Sequence, residues 1–342
     1  MGKQFGAIRT LGACATGALL FLSGSGAFAS QKITRFDAPG AAQTYAYGLN
    51  NAGDVAGYYI DSSGDYHGYI RDSQGTYTPF DAPGAVATIA DSINADGTVT
   101  GYFYDNSLLT HGYVRTIDGK IKEFDPPGSA DTQAYTINSD GVVVGQYYDA
   151  SGVLHGFIRS SKGNIKPIRV KGATNDSAIG LNDAGDIAGD FTGSDEIVRC
   201  FIQLESGATT PFNPDGATYT TVGGINSSDS IAGDFNDAAG MTHGFMRSAG
   251  RTIKQFDVIK ALNTYTLGAQ IINSSGDIVG SYEDASQVDH GFIRNGSSGN
   301  ITKFDPKGSA KTYGQIINDS GEAVGYFLDS GGAAHGYILI QK

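Results

Sequence analysis

Along residues 44–81, apolar and polar positions alternate in short runs, and glycine-containing turns separate the runs at steady intervals. TYAYGLN (44–50) reads as a first strand, and NAGD turns it. DVAGYYID (54–61) is a second strand closed by a turn at Gly64, and HGYIRD (67–72) is a third. After SQG, TYTPFD (76–81) is a fourth, and APGAV leads onward. Period-two runs bounded by Gly with Asn, Asp or Ser are the mark of short hairpins. Past residue 30 no stretch carries apolar residues at helical spacing.

The same unit recurs. Its histidine position falls at 67, 111, 155, 199, 243, 290 and 335, with separations of 44, 44, 44, 44, 47 and 45 residues; position 199 is Arg. The Phe-Asp element keeps the same ruler: Phe36-Asp37, Phe80-Asp81, Phe124-Asp125, Ile168-Arg169, Phe212-Asn213, Phe256-Asp257 and Phe304-Asp305. Four strands per unit, seven times over, predict an all-β chain: a seven-bladed β-propeller of four-stranded blades spanning residues 30–342. KITRFDAPG (32–40) is a fourth strand without the preceding three, and HGYILIQK (335–342) is a third without its fourth. The N-terminal strand is therefore expected to complete the last blade and close the ring, leaving no open sheet edge. With the fourth strand outermost, the first strand lines the central channel. The DAPGA and DSSGDY loops then emerge on one face.

All six histidines sit in the repeat, each followed by Gly and then Tyr or Phe. The third–fourth hairpin pairs His67 with Asp81, His111 with Asp125, His243 with Asp257, His290 with Asp305 and, through closure, His335 with Asp37. His155 meets Arg169, and Arg199 meets Asn213. A pair present at least five times around a ring is scaffold: a buried imidazole–carboxylate bond joining two strands. Two protein ligands per blade are also too few for a tight metal site. The glycine after each His is expected to allow close backbone approach between packed blades. The following aromatic (Tyr69, Tyr113, Phe157, Phe201, Phe245, Phe292, Tyr337) should fill the space between them. Asn50, Asn94, Asn138, Asn182, Asn226, Asn273 and Asn318 open the first hairpin turn, bonding the backbone.

Composition adds the compartment. Lys3 and Arg9, an apolar run from Leu11 to Leu22 and Ala27-Phe28-Ala29 have the layout of a secretory signal peptide over residues 1–29. The run is too short to anchor in a bilayer, and no other stretch approaches a membrane span. Cleavage after Ala29 removes Cys14 and leaves Cys200 alone, so no internal disulfide is available. A secreted or periplasmic location is expected. The net charge of −12 and the lack of any basic stripe exclude a nucleic-acid partner. Fifty glycines fit a chain rich in tight turns. No cofactor motif is present, and a monomer is expected.

Chemistry specific to one place is best sought where copies differ. The residue after the second-strand glycine is Tyr58, Tyr102, Gln146, Asp190, Asp234, Ser281 or Tyr326. Asp190 and Asp234, from adjacent units, could face each other across a groove, as acid/base work requires. Tyr58 and Tyr102 offer flat aromatic faces for stacking. The fourth copy, GDFTGSDEIVRCFIQ (189–203), departs most and gathers Asp190, Asp195, Glu196, Arg199 and Cys200. No base lies beside Cys200 in sequence, and no Ser-His-Asp set stands apart from the repeat.

LNNAGDVAGYYIDSSGDYHGYIR and IINSSGDIVGSYEDASQVDHGFIR resemble the HAF-type extracellular repeats of bacterial proteins, over essentially all of residues 30–342. That resemblance implies export and a repeat fold, and it brings no common activity. The expected function is therefore an exported binding or interaction module for a glycan, cell-envelope or extracellular protein ligand, with Tyr58, Tyr102, Asp190, Asp234 and Arg199 as the contact residues to test. The absence of tryptophan speaks modestly against a carbohydrate specialist. A hydrolase or lyase working at the channel mouth, and a purely structural secreted protein, are the alternatives.

Overall fold

The computed structural model describes residues 31–266 and 268–341; the expected signal segment, 1–29, lies outside them. The described residues form twenty-eight strands and no helix. In the first full copy Ala41–Leu49, Val55–Asp61, Tyr66–Arg71 and Tyr77–Phe80 pair antiparallel in chain order. The first strand starts three residues earlier than its alternation predicts. A turn at positive-φ Gly40, closed by the Ala41 N–H to the Ala38 carbonyl at 3.1 Å, delivers the chain to the sheet there. The other copies repeat this order. The N-terminal strand Gln31–Phe36 pairs antiparallel with Ala334–Gln341, in the place a fourth strand occupies elsewhere.

The first strands of successive copies lie side by side, and one side chain ties each to the next. The Asn50 Oδ1 accepts the N–H groups of Ala52 and Asp54 at 3.0 and 2.9 Å, holding its own turn. Its Nδ2 donates to the Asn94 carbonyl at 3.1 Å. Asn94 repeats this toward Asn138, Asn138 toward Asn182, Asn182 toward Asn226, Asn226 toward Asn273 and Asn273 toward Asn318. Asn318 then donates to the Asn50 carbonyl at 3.1 Å, so the series returns to its start. All seven asparagines are buried.

Farther out, copies meet through aromatic and arginine side chains. The aromatic after each His-Gly is fully buried, and Tyr113, Phe157, Phe245, Phe292 and Tyr337 sit edge-on to the fourth-strand phenylalanine of the preceding copy. The arginine two residues on stacks over that same ring, as Arg115 does on Phe80 at 4.8 Å and Arg159 on Phe124 at 4.8 Å. Where the ring is Ile168, the arginine position is Gln203; where the arginine position is Leu339, it joins Phe304 in one apolar cluster. In the first case both partners are replaced together; in the second the phenylalanine remains.

The glycine after His has a different cause from the expected one at Gly68, Gly112, Gly244, Gly291 and Gly336. A Cβ on Gly291 would lie 2.4 Å from the Phe304 ring, and one on Gly336 would lie 2.4 Å from Phe36. Each ring belongs to the strand paired within the same sheet, directly opposite the glycine. At these positions the crowding is within a sheet. At Gly156, where the ring is replaced by Ile168, a Cβ would instead lie 3.1 Å from the Ala178 nitrogen of the next copy, which is the approach between copies that was expected.

The 47-residue step also resolves. Thr266 keeps the place of Val222, since both backbone N–H groups reach an aspartate 32 residues earlier, and Ile271 N–H bonds the Gly223 carbonyl. The three extra residues thus fall between Thr266 and Gln270, and the sixth first strand is regular only over Asn263–Tyr265.

If the asparagine series ties the copies together, Asn138→Asp separates its two roles. The acceptor for the turn remains, while the donor to the Asn182 carbonyl becomes a carboxylate facing it. The expected loss is about 1–3 kcal/mol at pH 7, shrinking at pH 3–4 where the acid regains a donor. Unchanged thermal stability at pH 7 would show that the inter-copy bond contributes nothing.

Candidate functional site

Three residues before each asparagine, the first strands carry Tyr47, Asp91, Tyr135, Ile179, Gly223, Gln270 and Gln315. The asparagine never changes, and this position almost always does. The structure gathers it around a central cavity of about 260 Å3, lined by Tyr47, Asp91, Tyr135, Ile179 and Gln315 together with Gly268 and Ala269 of the three-residue insertion. A second hollow of about 150 Å3 lies among the asparagine turns and includes Asn50, Asn94 and Asn138.

Asp91 is the anomaly in this cavity. Its Oδ2 is buried and meets no hydrogen-bond donor. Burial alone pushes the carboxyl up to about 8, with no cation nearby to offset it. Tyr47, Tyr102 and Tyr135 are all held above the ordinary phenol value, by burial first and then by neighbouring charge that includes Asp91.

Around Tyr47 the tyrosines continue outward. Tyr58 stacks on Tyr45 at 4.7 Å, on Tyr47 at 5.8 Å and on Tyr66 at 5.8 Å. Tyr326 meets Tyr45 and Tyr313, each at 4.9 Å, and Tyr102 meets Tyr104 at 5.9 Å. Two of the residues singled out from sequence, Tyr58 and Tyr102, therefore stand at this aromatic cluster. Asp91, Tyr47 and Tyr135 escaped sequence reading. The signal that finds them is the changing position on the strand expected to line the channel, three residues ahead of the fixed asparagine.

Asp190 and Asp234 do different work. Asp190 Oδ1 accepts the Val222 N–H at 2.9 Å and the Cys200 thiol at 3.5 Å. Asp234 Oδ2 accepts the Thr266 N–H at 2.8 Å, and its Oδ1 the Thr221 hydroxyl at 3.1 Å. Each thus fastens its second strand to the first strand of the next copy, as Ser281 does with the Gly314 N–H at 3.1 Å. Burial pushes Asp190 up to about 7 and raises Asp234. Asp190 also borders a hollow of about 270 Å3 with Asp176 and Tyr219. Burial, then Asp190, keeps the Cys200 thiol protonated, so it is no nucleophile. Arg199 grips Asp195 with two bonds at 2.8 and 2.6 Å.

The histidines occupy another part of each sheet. The Nδ1 atoms of His67, His111, His243, His290 and His335 meet Asp81, Asp125, Asp257, Asp305 and Asp37 at 2.7–3.0 Å. His155 Nδ1 accepts from Arg169 at 3.2 Å. Only His335 is buried; the other five are partly exposed, where a buried bond was expected. A second aspartate, six residues earlier, faces the other ring nitrogen: Asp149 stands 3.1 Å from His155 and Asp329 3.3 Å from His335. Where that residue is Gly193, Arg199 stands in for His and Asp195 for the aspartate. Burial pulls His111 and His243 down, yet Asp125 and Asp257 with their acidic neighbours outweigh it and hold both above the ordinary imidazole value. Among the described residues, His111, Glu123 and Asp125 form the one trio close enough to share a metal ion, but His111 Nδ1 is already bonded to Asp125 at 2.8 Å.

No family model and no curated protein matches this chain. Solved structures do. The β-propeller domain of the trilobed protease from Pyrococcus furiosus, described as having an open velcro topology, superposes with a TM-score of 0.62 at 11% identity, over 86% of this chain and 95% of that one. The fold is a β-propeller. An acylaminoacyl peptidase from Pyrococcus horikoshii aligns with 88% of this chain and 53% of its own (TM-score 0.56, 12% identity). The BP39L lectin from Burkholderia pseudomallei aligns with 91% of this chain and 96% of its own (TM-score 0.53, 10% identity). At such identities the likeness concerns fold alone.

Two pH dependences follow. The raised folded values of His111 and His243 stabilise the fold fully below about pH 6.5, and that contribution is lost as pH rises through them. Their partners Asp105 and Asp237, depressed chiefly by turn N–H groups, contribute above about pH 4 and lose it as pH falls. Thermal unfolding midpoints should therefore be higher near pH 5.5 than at pH 8, and the His111→Gln/His243→Gln variant should show a shallower decline. A decline of equal slope in the variant would remove the histidines from the explanation. Asp91 acts with the same sign. Its raised folded value makes wild type progressively less stable from about pH 4 to pH 8, so Asp91→Asn should be the more stable protein at pH 8, by on the order of a few kcal/mol, and no more stable at pH 4. Equal midpoints at pH 8 would mean that the carboxyl is well solvated.

Proposed function

We propose that this chain is an exported, seven-bladed β-propeller, closed by its N-terminal strand, that binds a ligand at the tyrosine-lined mouth of its central channel without transforming it. Seven blades and closure are supported by the seven-membered asparagine series returning to Asn50 and by the pairing of Gln31–Phe36 with the last strand. Export is supported by the layout of residues 1–29 and by the resemblance to HAF-type extracellular repeats.

The observation that carries the binding reading is the convergence of unlike residues on the centre. Scaffold positions repeat, whereas the cavity wall is Tyr, Asp, Tyr, Ile and Gln, and Tyr58, Tyr45 and Tyr66 stack beside it. Stacked tyrosines form a platform for a sugar ring or another flat, partly polar group, and Tyr66 is exposed. A hydrolytic reading has less support. The histidines stand between carboxylates away from the cavity, and Asp190 is bonded to a backbone N–H and a thiol. Both peptidases and lectins occur among propellers of this shape, so fold does not choose between them.

Isothermal titration against a panel of neutral oligosaccharides and amino sugars tests the reading. Saturable binding is expected, weakened about tenfold or more by Tyr58→Ala. Binding that ignores Tyr58 and disappears in Asp190→Asn would move the site to the Asp176–Asp190 hollow and favour the hydrolytic alternative.

A further inference from the structure

We propose that the central cavity is a site for an organic ammonium cation, with Asp91 as the counter-ion and Tyr47, Tyr102 and Tyr135 as its aromatic surround. This inference rests on the binding reading above and names the chemistry of the group that enters deepest.

Four observations converge. Asp91 breaks a position otherwise filled by Tyr, Ile, Gly and Gln, so its charge serves no repeated structural purpose. Its Oδ2 is buried with no donor in reach, a cost that proteins retain where a partner arrives from outside. The titratable groups facing it are Tyr47 and Tyr135 from the flanking first strands, Tyr102 from the second strand and Tyr113 from the third. None of these can supply a positive charge. Finally, Ile179, Gly268 and Ala269 make the rest of the wall mainly apolar, with Gln315 as its one uncharged amide.

That combination selects among cations. A metal ion needs several oxygen, nitrogen or sulfur ligands, and one carboxylate with phenols falls short. An ammonium on a carbon skeleton is matched on every side: carboxylate for its charge, tyrosine rings for cation–π contact, and apolar wall for its carbons. The cavity, at about 260 Å3, lies just under the roughly 300 Å3 where pockets for drug-sized ligands begin, so the guest is small or is the tip of something larger. The chain's net charge of −12 favours the approach of cations. Without a guest, burial holds the carboxyl near 8; an arriving cation displaces that proton, so affinity should strengthen as pH rises from 6 to 9.

The shared ammonium chemistry could come from an amino sugar or from an alkylammonium compound. Titration calorimetry of the purified protein would use choline against its neutral isostere 3,3-dimethylbutanol at pH 8.5, and glucosamine, whose amine is still largely protonated at pH 7, against N-acetylglucosamine at pH 7. At least one ammonium probe should bind tenfold or more tightly than its neutral counterpart, weaken at pH 6, and lose at least tenfold in Asp91→Asn. Asp91→Ser serves as a second variant, with circular dichroism verifying both folds. Preference for glucosamine would indicate a sugar source, and preference for choline an alkylammonium one. Equal binding of neutral isosteres, indifference to Asp91→Asn, or no ammonium binding at millimolar probe would each overturn the proposal. Neutral oligosaccharide binding that depends on Tyr58 but ignores Asp91 would overturn it while leaving the binding module intact.

Discussion

One carboxamide does two things in every copy of this repeat, and the rest of the molecule depends on their being done together. The asparagine oxygen holds the hairpin turn of its own sheet, and the nitrogen reaches the carbonyl of the same turn in the next. Local and global order are therefore set by a single planar group. A turn that slips also withdraws its donor from the neighbouring copy, leaving a buried carbonyl unpaired at a cost near 1–3 kcal/mol. No other amino acid supplies an acceptor and a donor at that spacing with so short a stem. Glutamine has the groups on a stem one methylene too long, and aspartate has no donor.

That constraint frees what lies beside it. With the turns fixed by asparagine and the sheet faces by the buried aromatics and the Arg–Phe stacks, the residue three places earlier can vary without loosening the fold. The chain uses this freedom unevenly. Two copies place tyrosine there, two glutamine, one isoleucine, one glycine, and one a carboxyl that burial makes unfavourable to ionise. A group held at such a cost, on a wall made of unlike neighbours, is how a symmetric scaffold comes to carry an asymmetric site.

Much of the scaffold was readable from spacing. The strand runs, the pairing of His67, His111, His243 and His290 with an Asp fourteen or fifteen residues on, and the return of Asp37 to His335 all follow from one ruler of about 44 residues. What spacing could not reveal is which atom crowds which. The glycine after His reads equally well as a contact between sheets or within one, and packing answers differently by copy: the Phe304 ring crowds Gly291 from its own sheet, whereas the Ala178 backbone crowds Gly156 from the next. The second aspartate beside each imidazole opens the turn before the third strand, and its backbone bonds there already account for it. Asp190 and Asp234 drew attention because they vary, yet variation on the second strand is absorbed by backbone donors of the next copy. Asp91 drew none, because a lone aspartate in the alternation of TIADSIN (88–94) looks like any solvated strand position. Its lack of a donor is a property of packing.

The account stands or falls on closure, since the cavity exists only if the seven first strands are held around it. Hydrogen exchange with mass-spectrometric readout over Gln31–Phe36 and Ala334–Gln341 tests this most directly. If the N-terminal strand completes the last sheet, its amides should exchange as slowly as those of the fourth strands Tyr77–Phe80 and Ile121–Phe124, and in the same cooperative step. Exchange at the rate of a free terminus, with the outer edge of Ala334–Gln341 equally unprotected, would contradict a closed ring.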